Sequence, residues 1–388
     1  MAKTPKPIRL GMVGGGEGAF IGAVHRMAAR LDGHYELVAG AFSSTPEKSL
    51  ASGVALGLDP ARCYRDFTQM ARAEAGRRDG IEAVAIVTPN HVHAAPALAF
   101  LEAGIHVICD KPLTTSLALA KKIQRAVKKS DRIFAVTHNY TGYPMVRQAR
   151  AMVASGQLGE IRLVQVEYAQ DWLTLPLEAS GQKQAAWRTD PQKSGPGGCI
   201  GDIGTHAFNL SRYITALPVS ELAAEMTTFV AGRQLDDNVQ IMLRYANGAR
   251  GSLWASQVAP GNENGLTIRV YGTQGGIEWA QEHPNQLRWS PLGQATQILS
   301  RGATGLNAQS TRVTRLPAGH PEGYIEAFAT VYSEVALAIH AAKLKHNKLK
   351  PDESTAGNFP SIADGVEGVA FIDAALRSSR ANAAWVKL

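Results

Sequence analysis

Ile8-Arg9-Leu10-Gly11-Met12-Val13-Gly14-Gly15-Gly16-Glu17-Gly18-Ala19-Phe20-Ile21-Gly22-Ala23-Val24-His25 is the stretch whose reading decides the fold. It runs from an apolar segment through a glycine-rich turn into the start of a helical pattern. Glycines let a backbone approach a pyrophosphate closely, and a helix N-terminus adds free N–H groups and the positive end of its dipole. A glycine cluster by itself serves any tight turn. Set between a first strand and a helix, this one favours a dinucleotide cradle. Gly14 and Gly16 fit the usual spacing, while the third glycine is displaced, with Gly22 its candidate. Gly14, Gly16, Gly18, Phe20 and Ile21 are the expected cofactor contacts of this loop.

Outward from the loop, apolar runs at 8–13, 36–42, 83–87, 106–109 and 133–137 alternate with helical patterns at 23–31, 94–103 and 116–129. The runs are rich in β-branched residues and lack interior proline, as strands buried on both faces do. Strict alternation of this kind implies parallel strands with crossover helices, a doubly wound Rossmann sheet. Beyond Tyr140 the pattern changes. A helix is expected over 143–155, ending at Gly156, then a strand over 161–169 with one wet face. A loop over 171–199 leads to a helix beginning near Asp202. Strands at 239–245, 249–256, 266–271 and 277–279 follow, punctuated by Asn247-Gly248 and Gly275-Gly276 as hairpin turns. Helices over 321–343 and 364–379 close the chain. The fold class expected is therefore α/β. A Rossmann domain over 1–140 precedes an α+β domain over 141–388 with a large, mostly antiparallel sheet, the C-terminal helices being able to pack back on the first domain.

Composition narrows the classes further. The chain has 388 residues, 45% of them hydrophobic and 19% charged, which excludes disordered and collagen-like chains. No apolar run approaches the ~20 residues of a membrane span, and the polar start shows no signal peptide. Cys63, Cys109 and Cys199 are widely spaced, which argues for a reducing, cytoplasmic setting and against disulfides or a zinc knuckle. His91-Val92-His93 lacks a third ligand at zinc spacing, so no metal is expected. The net charge of +7 is concentrated in residues 1–140, which hold 18 basic and 12 acidic side chains. That places the excess on the half assigned to a polyanionic dinucleotide rather than pointing to nucleic acid. A row of lysines, Lys343, Lys345, Lys348 and Lys350, reads as a solvated helix end.

Three clusters carry chemistry. A ribose-binding acid is expected at the end of the second strand, yet Ser43-Ser44-Thr45-Pro46-Glu47-Lys48 stands there. Ser43, Ser44 and Lys48 could receive a 2′-phosphate, which leans the NAD(P) cofactor toward NADP; the same residues could equally cap a helix while NAD uses the hydroxyls. Asp110-Lys111-Pro112 follows another strand, at the end that faces the ligand crevice in a parallel sheet. A partly desolvated lysine there can hold or move a hydroxyl proton, whereas a surface ion pair is the plainer account. Asp202 and His206 are four apart at a helix start, suited to exchange a proton with a substrate hydroxyl or to serve as an N-cap and a core histidine.

Taken together, these residues resemble the glucose–fructose oxidoreductase / inositol dehydrogenase (Gfo/Idh/MocA) family. The resemblance runs through the glycine loop with Ile21, Gly22 and His25, Thr88-Pro89-Asn90 with His93, and Asp110-Lys111-Pro112. It continues through Gly159-Glu160-Ile161, Trp187-Arg188, Asp202-x-Gly204-x-His206 and the segment 359–365. It implies Lys111, Asp202 and His206 as catalytic residues, with Asp110 replacing the family's usual glutamate. Thr88, Asn90 and His93 are implied near the nicotinamide ribose, with Asp110 and Lys111 adjoining. Candidate substrate contacts are Lys111, Asn139, Tyr140, Trp172, Trp187, Arg188, Asp202, His206 and His320. The activity implied is NAD(P)-dependent oxidation of a secondary hydroxyl, or its reversal, on a sugar, inositol or sugar derivative. Redox-assisted glycoside cleavage and a non-catalytic sugar or dinucleotide sensor are the alternatives. The partners expected are a small polyol and further copies of the chain in a dimer or tetramer, with neither nucleic acid nor membrane.

Overall fold

The computed structural model describes residues 6–346 and 357–388. Two compact units share the chain: one holds Met1–Thr114, Ala118–Asn139 and Tyr324–Val366, the other Thr115–Leu117, Tyr140–Gly323 and Glu367–Leu388. The helix Tyr324–His346 belongs to the first unit, and the helix Ile362–Arg380 begins in the first and ends in the second.

The first unit is built on β1 (Ile8–Gly14), α1 (Phe20–Leu31), β2 (Tyr35–Ala41), α2 (Pro46–Ala55), α3 (Phe67–Ala75), β3 (Ala83–Val87), α4 (Ala94–Glu102), β4 (His106–Cys109), α5 (Leu117–Ser130) and β5 (Phe134–Val136). Its five strands pair in the order β2-β1-β3-β4-β5, every pair parallel. Every residue of β3, β4 and β5 is buried, which is why those runs read as continuously apolar. The order reverses between β1 and β3, so the loops after these two strands flank the crevice where open α/β sheets take their ligands. Ile8, Leu10 and Met12 of β1 share a core with Val24 and Ala28 of α1 and with Phe328, Tyr332, Val335 and Ile339 of the helix Tyr324–His346. By length and composition that helix could cross a membrane over Tyr324–Leu344, yet 61% of the window is buried within the protein. Lys343, expected to be solvated, forms an ion pair with Glu82 at 2.6 Å. Lys348 and Lys350 lie outside the described residues, as does the side chain of Lys345.

The second unit contains α6 (Pro144–Ala154), β6 (Ile161–Ala169), α7 (Lys183–Arg188), α8 (Pro191–Ser194), α9 (Thr205–Thr215), β7 (Val219–Thr227), β8 (Asn238–Tyr245), β9 (Arg250–Ser256), β10 (Gly265–Gly272), β11 (Gly275–Ala280), β12 (Gln286–Pro291), β13 (Gln297–Ser300), α10 (Ala308–Thr311) and β14 (Val386–Lys387). Nine strands form one sheet in the order β13-β12-β11-β10-β6-β9-β8-β7-β14. Only β6 and β9, at its centre, run parallel. Burial alternates along β8 and β10, so one face is packed while Leu163, Met242 and Tyr271 stand exposed.

Three local expectations differ from the structure. Gly275 and Gly276 lie inside β11, paired with β12 and β10, and the turn is Thr273-Gln274. A glycine pair in a strand admits a close neighbour: a Cβ on Gly275 would meet the Trp289 ring at 2.5 Å. The helix expected from Asp202 begins instead with a wide π-helical turn, Ile200–Gly204, and becomes α-helical at Thr205. The loop expected over 171–199 holds the short helices α7 and α8.

Candidate active site

In the first unit the glycine loop has the backbone its residues predict. Gly14 takes φ +80°, where a Cβ would press on the Val87 carbonyl and Thr88. A Cβ on Gly22 would stand 2.4 Å from Gly15 Cα, so Gly22 is the glycine that lets α1 pack against the turn. α1 has no side-chain N-cap bond and no acid in its first turn, which leaves its opening N–H groups to an anionic ligand. Arg26 braces the turn by donating to the Gly15 carbonyl at 2.6 Å. Phe20 is exposed beside the loop, and Ile21 is half-buried against the core. Gly16 donates its N–H to the Phe42 carbonyl at 3.3 Å, tying the turn to the end of β2. There Ser44 and Lys48 are exposed, and Ser43 Oγ accepts from Thr45 N–H at 3.2 Å.

After β3, His93 is fully buried, its ring nitrogens 2.9 Å from the Pro112 carbonyl and 2.8 Å from the Thr88 carbonyl. Burial lowers its pKa. A neutral ring carries one N–H and donates to one of these two carbonyls. His93 thereby lies against the backbone of Thr88 and Pro112. Thr88 Oγ1 is buried with no hydrogen-bond partner among the described residues, as is Asn139 Nδ2. Asn90 is buried at the same turn.

Asp110 follows β4 directly. Its Oδ1 accepts from Lys111 N–H and from Thr137 Oγ1, both at 2.8 Å, which sets the turn that carries Lys111. The Lys111–Pro112 peptide is cis. Behind the turn His25 lies 3.9 Å from Asp110 Oδ1 and bonds Tyr332 Oη through Nδ1 at 2.8 Å. Burial takes the His25 pKa down to about 4, so the imidazole is neutral.

The second unit gathers a polar cluster around Asp202 and His206. Asp202 Oδ2 accepts from Gln257 Nε2 at 2.9 Å and from Arg188 Nε at 3.2 Å. Arg188 also donates to Gln184 Oε1 at 2.6 Å, and its guanidinium lies 4.3 Å from the Trp187 ring centroid and 5.9 Å from that of Trp172. One turn beyond Asp202, His206 is buried with the Tyr140 ring edge-on at 4.8 Å. Tyr168 donates to Asn264 Oδ1 at 2.6 Å, which leaves Tyr140 to donate to Tyr168 at 2.5 Å. Gln170 donates to the same Asn264 oxygen and accepts from Trp172 Nε1. Burial raises the Tyr140 phenol above its ordinary pKa, so it stays a neutral donor. His320 stands apart from this cluster. Its imidazole is exposed on a turn whose carbonyl accepts from Arg301.

Asp202, His206, Arg188, Tyr140, Trp172 and Trp187 are thus brought together, along with Tyr168, Gln170, Gln184, Gln257 and Asn264, which the sequence reading does not name. Tyr168, Gln170 and Gln257 sit at or just beyond the ends of β6 and β9. A polar side chain closing an apolar strand is the signal that could have found them.

Comparison with known proteins accords with both halves. The family model for the oxidoreductase family, NAD-binding Rossmann fold, matches residues 8–138, and that for the GFO/IDH/MocA C-terminal domain matches residues 146–278. An oxidoreductase from Sinorhizobium meliloti superimposes with a TM-score of 0.88 at 55% identity, covering 99% of this chain and 100% of that one. An inositol dehydrogenase homolog from Azotobacter vinelandii, complexed with NADH and myo-inositol, gives a TM-score of 0.91 at 38% identity, covering 99% and 98%. The uncharacterized oxidoreductase YfiI of Bacillus subtilis (strain 168) is 37% identical over 98% of this chain and 97% of its own. On the Rossmann order of the first sheet, the mixed sheet of the second and these matches, the chain belongs to the Gfo/Idh/MocA family of oxidoreductases.

Proposed function

We propose that the protein is an NAD(H)-dependent dehydrogenase that oxidises a secondary hydroxyl of a neutral cyclitol or sugar, or catalyses the reverse reduction. The observation that carries this reading is the cluster around Asp202. Its carboxylate pairs with Arg188 and accepts from Gln257, Arg188 donates to Gln184, and the amides of Gln170 and Asn264 are bonded to each other, to Trp172 and to Tyr168. Such a set hydrogen-bonds hydroxyls without favouring a phosphate or carboxylate. The relative from Azotobacter vinelandii, holding NADH and myo-inositol, supports the same substrate class.

Oxidation removes a hydride from carbon and a proton from oxygen, and a bound nicotinamide supplies the hydride acceptor. In this reading the chain handles the oxygen. His206 takes the hydroxyl proton, Lys111 hydrogen-bonds the same oxygen and stabilises its developing charge, and Asp202 aligns the alcohol. Gly14, Gly16, Gly18 and the first turn of α1 hold the pyrophosphate, a role supported by the Gly15–Gly22 contact that only glycines allow. The buried Thr88 Oγ1 and Asn139 Nδ2 fit polar groups of the cofactor and the substrate, respectively. The NADP lean drawn from Ser43, Ser44 and Lys48 gives way to NAD, because the relative holds NADH and Lys48 is the only cation of that segment.

Free Cys63, Cys109 and Cys199 support a cytoplasmic setting, and the exposed Leu163, Met242 and Tyr271 support a homo-oligomer joined through the open sheet face. The test offers NAD and NADP with a panel of cyclitols, sugars, sugar acids and sugar phosphates, following reduced nicotinamide. Accumulation with neutral polyols and NAD supports the reading. Preference for phosphates or for NADP overturns its finer part, and binding without turnover favours a sensor.

A further inference from the structure

We propose that Asp236 is the positioning residue that sets Asp202 and His206, a role resting on the assignment of those two residues to the reaction. Three consecutive N–H groups open the segment that carries them, and one residue satisfies all three. Asp236 Oδ1 accepts from Gly198 N–H at 2.6 Å, Asp236 Oδ2 from Ile200 N–H at 2.8 Å, and the Asp236 carbonyl from Cys199 N–H at 2.8 Å. Helix starts leave such donors unpaired, and a side-chain carboxylate is their strongest acceptor. Here the carboxylate comes from the connection just before β8 rather than from the helix's own cap, and it is buried. The clamp passes directly to the site: Asp202 donates its N–H to the Gly198 carbonyl at 2.9 Å, and His206 lies one turn further. Its fit is close, since a Cβ on Gly198 would stand 2.3 Å from the Asp236 carbonyl oxygen.

The neighbouring residue completes the setting. The Asp237 carbonyl accepts from Gln257 N–H at 2.9 Å, and Gln257 Nε2 is a donor to Asp202 Oδ2. Both the backbone beneath Asp202 and one donor to its carboxylate therefore hang on the Asp236-Asp237 dipeptide. Asp236 acts through the turn, because its bonds go to the backbone N–H groups of Gly198, Cys199 and Ile200.

Asp236→Asn tests this, because an amide keeps one acceptor and turns a donor toward the second N–H. The His206 imidazole resonances, assigned by comparison with His206→Asn, should shift in the variant while those of His25 stay in place. This readout needs no substrate, so it stands even if no polyol is oxidised and the functional reading fails. Where turnover is measurable, kcat should fall roughly 10- to 100-fold with NAD affinity within about twofold. Gly198→Ala, which pushes on the same contact, should reproduce the split. In an Asp202→Asn background the Asp236→Asn loss should largely vanish, as coupled sites require. Unmoved His206 resonances in both variants would overturn the proposal, and so would a kcat loss fully additive with Asp202→Asn.

Discussion

Lys111 owes its place to the carboxylate that precedes it. Asp110 spends Oδ1 on the Lys111 N–H and the Thr137 hydroxyl, which fixes the turn and leaves the lysine side chain half-buried. Replacing Lys111 by alanine should lower kcat by about 10²- to 10⁴-fold with NAD affinity retained, checked by steady-state kinetics and cofactor fluorescence titration. Gly22→Ala should do the opposite. With its Cβ forced 2.4 Å from Gly15 Cα, it should raise the KM for NAD and cost ~1–3 kcal/mol of stability, read by denaturant titration. The residue types of both positions are legible in the sequence, as are Asp202, His206, Arg188 and the two tryptophans. Asp236 and Gln257 are not, because they act on residues 38 and 55 positions away, a separation no local pattern carries. His93 is legible as a residue of the ligand loop, but its partner is not: its ring lies 2.9 Å from the Pro112 carbonyl, 19 positions away.

At the scale of elements, β4 and β5 are joined by a histidine. His106 Nδ1 accepts from Ile133 N–H at 2.9 Å, a bond that only the unprotonated nitrogen can make. Burial, with Arg132 and Lys343 adding to it, takes its pKa from 6.5 to about 4. Between these values the unfolded chain binds a proton that the folded chain refuses, so stability is full above the unfolded pKa and falls on acidification toward the folded one. His25 and His138, also near about 4, act in the same direction. His106→Asn preserves an acceptor and removes the titration. Its Tm should therefore fall less steeply than that of the wild type from about pH 7 to about pH 5. A wild-type slope in the variant would contradict the assignment. The parallel strands were legible because burial on both faces leaves unbroken apolar runs. β7 was not: Val219-Ser220-Glu221-Leu222-Ala223-Ala224-Glu225-Met226-Thr227 is rich in Ala and Glu, and its pairing with β8 overrides that helical composition.

For the whole molecule, the charge asymmetry along the sequence separates a basic half bearing the glycine loop from a nearly neutral half bearing every tryptophan. The second half surrounds the Asp202–Arg188 pair with amides, phenols and indoles, which supports the neutral substrate proposed above. The open sheet face predicts assembly. Light scattering should give a multiple of the chain mass, and Met242→Asp, at an exposed apolar position on that face, should shift it toward the monomer. The sequence left the return of the C-terminal helices to the first domain as an option, and the helix Tyr324–His346 completes the first unit's core. That depends on long-range packing of a helix whose own pattern is apolar nearly all round. The most direct measurement is reduced-nicotinamide formation from NAD and a panel of neutral cyclitols and sugars, with wild type and Lys111→Ala side by side. The predicted result is accumulation of NADH by the wild type and its near-complete loss in a variant that still binds NAD. Wild-type rates in Lys111→Ala, or bound NAD without NADH from any neutral polyol, would contradict the account.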